Sequence, residues 1–174
     1  MTIFHAVLVF VALQRGAELL LAQINTARLR RLGAVEIDRD GYKWFVILHA
    51  TWLVALFLDV RADASPDWVL LALFAALQLG RVWVIASLGR RWTTRVIVLP
   101  GAPLVAAGPY RWLDHPNYVI VIGEVAILPL AFAAIAVAVV FSTCNFLLLL
   151  RRIRLEDAAL RSPQPSDSRN PAPP

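Results

Sequence analysis

Long apolar runs separated by short polar segments are the dominant pattern along this chain. Three of them are each close to the length of one tilted membrane-spanning helix, which needs about 20 apolar residues. These runs are Ile3–Ala22, Trp44–Leu58 and Trp68–Leu88. No basic residue precedes the first run, and it is longer than the apolar region of a signal peptide, so we expect it to be a span.

The fourth apolar run, Tyr118–Leu150, has 33 residues and carries Glu124 as its one charge. As a single helix it would be about 50 Å long, too long for one crossing of a hydrocarbon layer about 30 Å thick. Pro129 lies inside the run and is able to end a first, short helix. The pattern therefore predicts a tight hairpin, with a short helix from about Pro116 to Leu128 and a longer helix from Leu130 to Leu150.

Basic residues concentrate in alternate connecting segments. Of the 17 basic residues, 14 follow the first run, the third run or the hairpin, whereas the segment between the second and third runs has only Arg61. The positive-inside rule then places the N-terminus outside the cell membrane and the C-terminus in the cytoplasm, which requires an odd number of crossings. The hairpin gives five. The net charge of +5 therefore indicates membrane topology, and we expect no binding of nucleic acid.

Composition supports the same class of protein. Of the 174 residues, 59% are apolar and 17% are charged, whereas soluble domains have about 45–50% and about 25%. We expect an all-α integral membrane protein with about five transmembrane helices, folded as a single domain over residues 1–161. Residues 162–174 include five prolines and no large apolar side chain, so they are predicted to form a disordered tail.

Polar side chains inside the spans come to similar depths. Glu18, Arg81, Glu124 and Asn145 each lie roughly 6–11 Å from the cytoplasmic end of a span, and Arg15 is one turn from Glu18. Ionisable residues are costly in a bilayer and mark functional sites by default. Two interpretations stay open: ion pairs, Arg15–Glu18 and Arg81–Glu124, that only fix helix packing, or the wall of a polar cavity open to the cytoplasm.

The most informative stretch, GPYRWLDHPNY at Gly108–Tyr118, lies at the entry to the hairpin. Pro116 suits the first position of a helix, which makes His115 the predicted N-cap. A helix start has free N–H groups and a partial positive charge, and it favours an anionic group such as a carboxylate. Taken alone, the stretch is also compatible with an interfacial turn that carries an aromatic belt.

A second motif, RRIRLED at Arg151–Asp157, follows the hairpin. If the last helix continues beyond the bilayer, Arg152 and Glu156 share a face at i, i+4. A basic anchor at the lipid headgroups explains part of this motif, but its carboxylates are also candidates for binding a cationic or hydroxyl-bearing ligand. The three histidines are far apart and no pair has metal-ligand spacing, so no metal site is predicted.

Together the two motifs resemble the integral-membrane isoprenylcysteine carboxyl methyltransferase family. The shared pattern is G-P-Y, H-P-N-Y, an apolar hairpin and R-x-x-x-E, over about residues 80–160. The stretch SLGRRWTTRVIVLPG at Ser87–Gly101 is similar to a bacterial branch whose members accompany type III polyketide synthases and O-methylate alkylpyrones or alkylresorcinols. Arg15, Glu18 and Lys43 also resemble that branch, whereas the N-terminal half matches the prenylcysteine enzymes poorly.

The resemblance implies a methyltransferase that takes S-adenosylmethionine from the cytosol and a lipophilic acceptor from the bilayer. It places Arg152 beside the acceptor. His115, Glu124 and Glu156 are candidate catalytic bases, and the sequence does not choose among them. The cofactor pocket implied by the resemblance is lined by Ala102, Pro103, Leu104, Val105, Tyr110, His115, Pro116, Asn117, Tyr118 and Glu156.

The leading functional hypothesis is O-methylation of a long-chain polyketide hydroxyl, with a functional link to a type III polyketide synthase. Two enzymatic alternatives are carboxyl methylation of isoprenylcysteine or another lipidated thiol acid, and N-methylation of a phospholipid amine. The non-enzymatic alternative is a small membrane scaffold or transporter subunit, in which the charged residues only hold the helices together.

Overall fold

Five α-helices make up most of the computed structural model, which describes residues 2–103 and 105–161. The prediction for Leu104 and that of a tail at 162–174 therefore lie outside the described residues. Four of the helices are long and apolar enough to cross a membrane, which confirms a multi-pass, helical membrane protein. The helices are α1 (Ile3–Arg31), α2 (Tyr42–Asp59), α3 (Trp68–Leu88), α4 (Pro116–Ala131) and α5 (Ile135–Arg161).

Helix boundaries follow local chemistry at several points. Asp67 caps α3, because its carboxylate accepts the backbone N–H groups of Val69 and Leu70 at 2.9 and 3.1 Å. Pro116 is the first residue of α4, where its missing N–H costs no hydrogen bond. The first and last helices extend beyond the apolar runs, since α1 continues to Arg31 and α5 to Arg161.

The predicted hairpin is present, but its boundaries were wrong. Helix α4 continues through Pro129 to Ala131, and α5 begins at Ile135 rather than at Leu130. The reversal occurs at Ala133, which has a left-handed φ of 58°. The N–H groups of Ala133 and Ala134 bond to the carbonyls of Leu130 and Pro129, the pattern of a Schellman helix end. Pro129 thus lies within the last turn of α4 and does not end it.

A two-stranded antiparallel sheet was not predicted. Strand β1 (Val35–Glu36) follows α1, and strand β2 (Ile97–Val98) lies in the connection between α3 and α4. The register pairs Val35 with Val98 and Glu36 with Ile97. Strands of two residues are too short to leave a period-two pattern in the sequence. Two short 3-10 helices, Gly89–Arg91 and Gly108–Arg111, complete the structure.

Contacts between the connecting segments define the two ends of the helix bundle. At one end, Asp38 of the α1–α2 connection pairs with Arg151 of α5, and Arg152 bonds to Thr94. We call this the basic end. At the opposite end, the N–H of Asp67 bonds to the carbonyl of Ala131 at 2.7 Å. Because α4 begins at the basic end and finishes at the other, the chain traverses the bundle five times, as predicted.

Candidate functional site

The start of α4 places the H-P-N-Y motif at the basic end. His115 is the N-cap, as predicted, and its side chain makes no capping bond to the helix. The ring of His115 stacks on the ring of Tyr118, with centroids 5.1 Å apart and planes inclined by 17°. The first-turn N–H groups and the partial positive charge of the helix start therefore lie beside two aromatic rings.

The extension of α5 beyond its apolar part brings the second motif to the same place. Arg152 and Glu156 share one face of α5, and both reach Tyr118. The Tyr118 hydroxyl donates to Glu156 Oε2 at 2.6 Å and accepts from Arg152 Nε at 3.1 Å. His115 adds a further link, because its Nδ1 is 3.8 Å from Glu156 Oε2 and its Nε2 is 3.5 Å from Asp157 Oδ1. We call these five residues the helix-end cluster.

Arg152 is a buried cation with no acidic partner. The residue is only 9% exposed, and no carboxylate lies within 4.0 Å of it among the described residues. Its Nη2 donates to the Thr94 carbonyl at 2.8 Å, and its guanidinium lies 5.0 Å from the ring of Phe45 and 5.6 Å from that of Tyr118. Nη1 has no hydrogen-bond partner within the described part of the chain. A mostly buried charge without a counter-ion is costly, and Nη1 keeps some exposed surface, so this site suits an anionic ligand atom.

Asn117 adds an unsatisfied acceptor to the same motif. Its Oδ1 is buried and accepts no hydrogen bond from residues 2–103 or 105–161. Buried polar atoms are nearly always hydrogen-bonded, and each exception requires an explanation. An N–H or O–H group of a bound ligand would satisfy Asn117.

Tyr110 lies next to the helix-end cluster in the 3-10 helix of the G-P-Y motif. Burial, with a further contribution from the charge of Glu156, raises the pKa of Tyr110 to about 12, so the phenol stays neutral at physiological pH. The preceding glycine is required sterically. Gly108 has a φ of 58°, and a Cβ there would lie 2.0 Å from Ser87 Oγ.

The described residues of the predicted pocket segment, Ala102, Pro103 and Val105, take no part in the hydrogen bonds and ion pairs of this cluster. Arg91 Nη1 donates to the Pro103 carbonyl at 2.6 Å, and the N–H of Ala102 bonds to Leu99. In the described part of the chain, Ala102, Pro103 and Val105 make no hydrogen bond or ion pair with the helix-end cluster. Their proposed role beside the cofactor stays a prediction.

A second charged group, which we call the inner ion network, lies deeper in the bundle. It joins Arg15, Glu18, Arg81 and Glu124. Arg15 is 2.8 Å from Glu18 Oε2 and 2.5 Å from Glu124 Oε2, while Arg81 Nε donates to Glu124 Oε1 at 2.8 Å. Both predicted ion pairs are therefore confirmed, and they form one network with two charges of each sign.

Glu124 and Asn145 were both predicted to lie at the depth of this network, and the structure gives them different contacts. Glu124 is fully buried and also accepts from Gln78 at 2.9 Å. It lies six residues along α4 from Tyr118, about 9 Å of helix rise, so it belongs to the inner ion network and not to the helix-end cluster. Its catalytic role stays a prediction. Asn145 is also buried, but its amide bonds to no member of the network among the described residues.

Several residues of the site were not predicted from the sequence. Thr94 and Phe45 contact Arg152 directly, and Tyr42 is linked to it through Thr94, whose hydroxyl donates to the Tyr42 hydroxyl at 3.2 Å. The R-W-T-T-R stretch was the available signal for Thr94. Nothing in the α1–α2 connection indicated that the start of α2 would reach Arg152. No group of three His, Cys, Asp or Glu side chains is placed to hold a metal among the described residues.

Comparison with known proteins adds two findings. Residues 69–162, more than half of the chain, match the isoprenylcysteine carboxyl methyltransferase (ICMT) family. An uncharacterized protein of Bacillus subtilis (strain 168), YpbQ, is 35% identical over 162 residues, which cover 91% of this chain and 96% of that protein. No solved structure matches this chain. The matched segment contains the whole helix-end cluster and begins after α1 and α2.

Proposed function

This chain belongs to the isoprenylcysteine carboxyl methyltransferase family of membrane methyltransferases, and we propose that it methylates an oxygen of a lipophilic acceptor. The methyl donor in this proposal is S-adenosylmethionine, which the family uses. The basic end of the bundle faces the cytoplasm of the cell, where the donor is available, and the acceptor enters from the bilayer.

One observation carries the proposal: Arg152 is a buried cation with no carboxylate partner in the described part of the chain, and it lies within bonding distance of the tyrosine of the H-P-N-Y motif. A structural arginine at this burial would be expected to have an acidic partner, as Arg15 and Arg81 do. The Nη1 atom of Arg152 is instead available to donate a hydrogen bond to a bound ligand. An acceptor oxygen that carries negative charge fits this donor.

Part of the helix-end cluster and the residues beside it fit the methyl donor as well. His115, Pro116, Asn117, Tyr118, Tyr110 and Glu156 would hold it, and when bound it supplies an electrophilic methyl group. The helix start at Pro116 suits its carboxylate. The unsatisfied Asn117 Oδ1 and the Glu156 carboxylate suit its amino and hydroxyl groups, and the rings of Tyr118 and Tyr110 suit its sulfonium. Residues 102–105 would lie alongside.

Methyl transfer to oxygen needs mainly alignment and an ionised acceptor. Arg152 favours the anionic form of a hydroxyl beside it and so lowers the pKa of that hydroxyl. An acidic enol then needs little further help, and its proton can pass to His115 or Glu156, which lie at the exposed side of the cluster. In this proposal Glu124 serves the fold and takes no part in the transfer, because its oxygens are already bonded to two guanidinium groups.

For the acceptor, we favour the hydroxyl of a long-chain polyketide, such as an alkylpyrone or alkylresorcinol. The support is the R-W-T-T-R stretch, which resembles the polyketide-associated branch and supplies the Thr94 carbonyl that holds Arg152. The proposal includes a functional link to a type III polyketide synthase. Carboxyl methylation of isoprenylcysteine and N-methylation of a phospholipid amine are the competing reactions.

A side-by-side assay tests this proposal. The purified protein in detergent receives S-adenosylmethionine with a labelled methyl group and one acceptor: a long-chain alkylpyrone, a long-chain alkylresorcinol, a prenylcysteine or phosphatidylethanolamine. We expect label in the alkylpyrone or alkylresorcinol at a rate at least tenfold above the others. Label in prenylcysteine or phospholipid alone would contradict the acceptor class, and label in none of them would contradict the proposed function.

A further inference from the structure

The α1–α2 connection and the start of α2 reach the helix-end cluster although they precede the family-matched residues 69–162. Phe45 lies against the guanidinium of Arg152, and Tyr42 bonds to Thr94, whose carbonyl holds the same guanidinium. The environment of Arg152 is therefore formed in part by a segment outside the family-matched residues.

An ion pair fastens this segment to α5. Asp38 receives two hydrogen bonds from Arg151, from Nη1 to Oδ2 and from Nη2 to Oδ1, each 3.0 Å long. This two-pronged geometry is the strongest form of an arginine–carboxylate pair and fixes direction as well as distance. Asp38 is 7% exposed, so solvent competes little for its oxygens.

Gly41 shows how closely the connection approaches this pair. Its N–H donates to Asp38 Oδ1 at 3.1 Å. A Cβ at position 41 would lie 2.0 Å from Asp38 Oδ2 and 2.3 Å from Arg151 Nη1, closer than real Cβ contacts. The connection therefore folds directly over the ion pair, and only glycine fits there without displacing it.

The ion pair is adjacent in sequence to the proposed acceptor-binding residue. Arg151 and Arg152 follow one another on α5 and point about 100° apart. Arg151 thereby holds the connection on one side of α5, while Arg152 reaches between Phe45 and Tyr118. Loss of the pair would free the start of α2 and the aromatic side of the Arg152 environment. The α4 side, with His115, Tyr118 and Glu156, would keep its own contacts.

We infer that Asp38, through its ion pair with Arg151, is a positioning residue that sets Phe45 against Arg152, with Tyr42 acting through its bond to Thr94, and so forms the acceptor-binding side of the site. This inference rests on the proposed function. It assigns selectivity for the acceptor to residues 38–45 of α2 and its preceding connection, and cofactor binding to the α4 side. The acceptor class that fits an arginine edge flanked by aromatic rings is a flat, conjugated ring with an acidic hydroxyl.

The test uses Asp38→Asn and Arg151→Gln, singly and together, with Gly41→Ala as an independent way to disturb the pair. Asp63→Asn is the matched control, because the Arg61–Asp63 pair is exposed and lies at the opposite end of the bundle. Three quantities are measured for each purified full-length protein: KM and kcat for a long-chain alkylpyrone, the Kd of S-adenosylmethionine, and the midpoint of thermal unfolding. Kinetics are recorded well below that midpoint.

We expect Asp38→Asn, Arg151→Gln and Gly41→Ala each to raise the acceptor KM about tenfold and to leave the cofactor Kd within about twofold. The double variant should be no worse than either single variant, since both remove the same interaction. A fall in unfolding midpoint with unchanged acceptor KM would overturn the inference alone, because it would show a purely structural pair. A rise in the cofactor Kd as large as the rise in the acceptor KM would also overturn the inference. Absence of methyl transfer by the unaltered protein would overturn the proposed function and this inference together.

Discussion

The inner ion network and the helix-end cluster contain the same types of charged side chain but differ in how these are paired. In the network, Arg15 and Arg81 each contact both Glu18 and Glu124, so the charges are balanced within the bundle. In the cluster, Glu156 bonds to Tyr118, and Arg152 has no carboxylate within 4.0 Å among the described residues. Internal pairing distinguishes a charged group that holds helices together from one that is able to bind a ligand.

Solvent access to the carboxylates follows the same division, although Arg152 is as buried as the arginines of the network. The side chains of Glu124 and Arg81 are 0% and 3% exposed, whereas those of His115 and Glu156 are 24% and 28% exposed. A ligand from the aqueous phase can reach the second pair without opening the bundle. Position in the fold thus agrees with charge balance, and both support the proposal that the ligand binds at the basic end.

The largest effect is expected from removal of a charge in the inner ion network. Arg81→Ala leaves Glu124 fully buried with fewer donors, and breaking a buried pair typically costs about 3–5 kcal/mol. We expect a matching loss of unfolding free energy in detergent. Arg61→Ala, which removes an exposed pair, should change it little. An Arg81→Ala protein as stable as the control would mean that the network does not hold the helices.

A smaller effect, on activity and not on stability, is expected at Arg152. Arg152→Gln removes the buried cation and should lower kcat/KM about 100-fold, the typical loss when a donor to a reacting oxygen is removed. Arg154→Gln is the control, since Arg154 is an exposed arginine on the same extension. Comparable rates for the two variants in the methylation assay would remove the distinction between a charge that binds a ligand and a charge that does not.

The smallest effect, on stability, is expected at Glu36 of strand β1, whose side chain pairs with Arg30 and Arg95. Burial alone would raise the pKa of Glu36, but hydrogen bonds and charges from Arg95 and Arg30 bring it below its usual range. A carboxyl with a folded-state pKa below the unfolded value of about 4.3 stabilises the fold above that pH. This stabilisation is lost as the pH falls through the folded-state pKa.

Glu36→Gln should therefore lower the unfolding midpoint at pH 7 by about 2–4 °C, the shift that about 1 kcal/mol produces in a domain of this size. Thermal unfolding recorded from pH 7 down to pH 3 should show the two proteins converging at the acid end. A difference that stays constant over this range would show that the charge of Glu36 does not contribute.

The apolar runs and the placement of basic residues were sufficient to predict five traverses with the basic segments at one end, because bilayer thickness and charge leave few arrangements. The N-cap at His115 and the shared face of Arg152 and Glu156 followed from helix geometry. The pair of Asp38 with Arg151 could not be predicted, since it joins residues 113 positions apart and depends on how the connection folds over α5. The end of α4 was misplaced because an interior proline usually breaks a helix, whereas α4 continues past Pro129 to Ala131.

The most direct test of the account is S-adenosylmethionine binding by the purified protein in detergent, measured calorimetrically for the unaltered chain, Glu156→Gln and Glu36→Gln. We expect saturable binding by the unaltered chain, at least tenfold weaker binding by Glu156→Gln, and no change for Glu36→Gln, whose carboxylate lies in the strand pair. Undetectable binding by the unaltered chain at millimolar cofactor would contradict the claim that the helix-end cluster is a methyl-donor site.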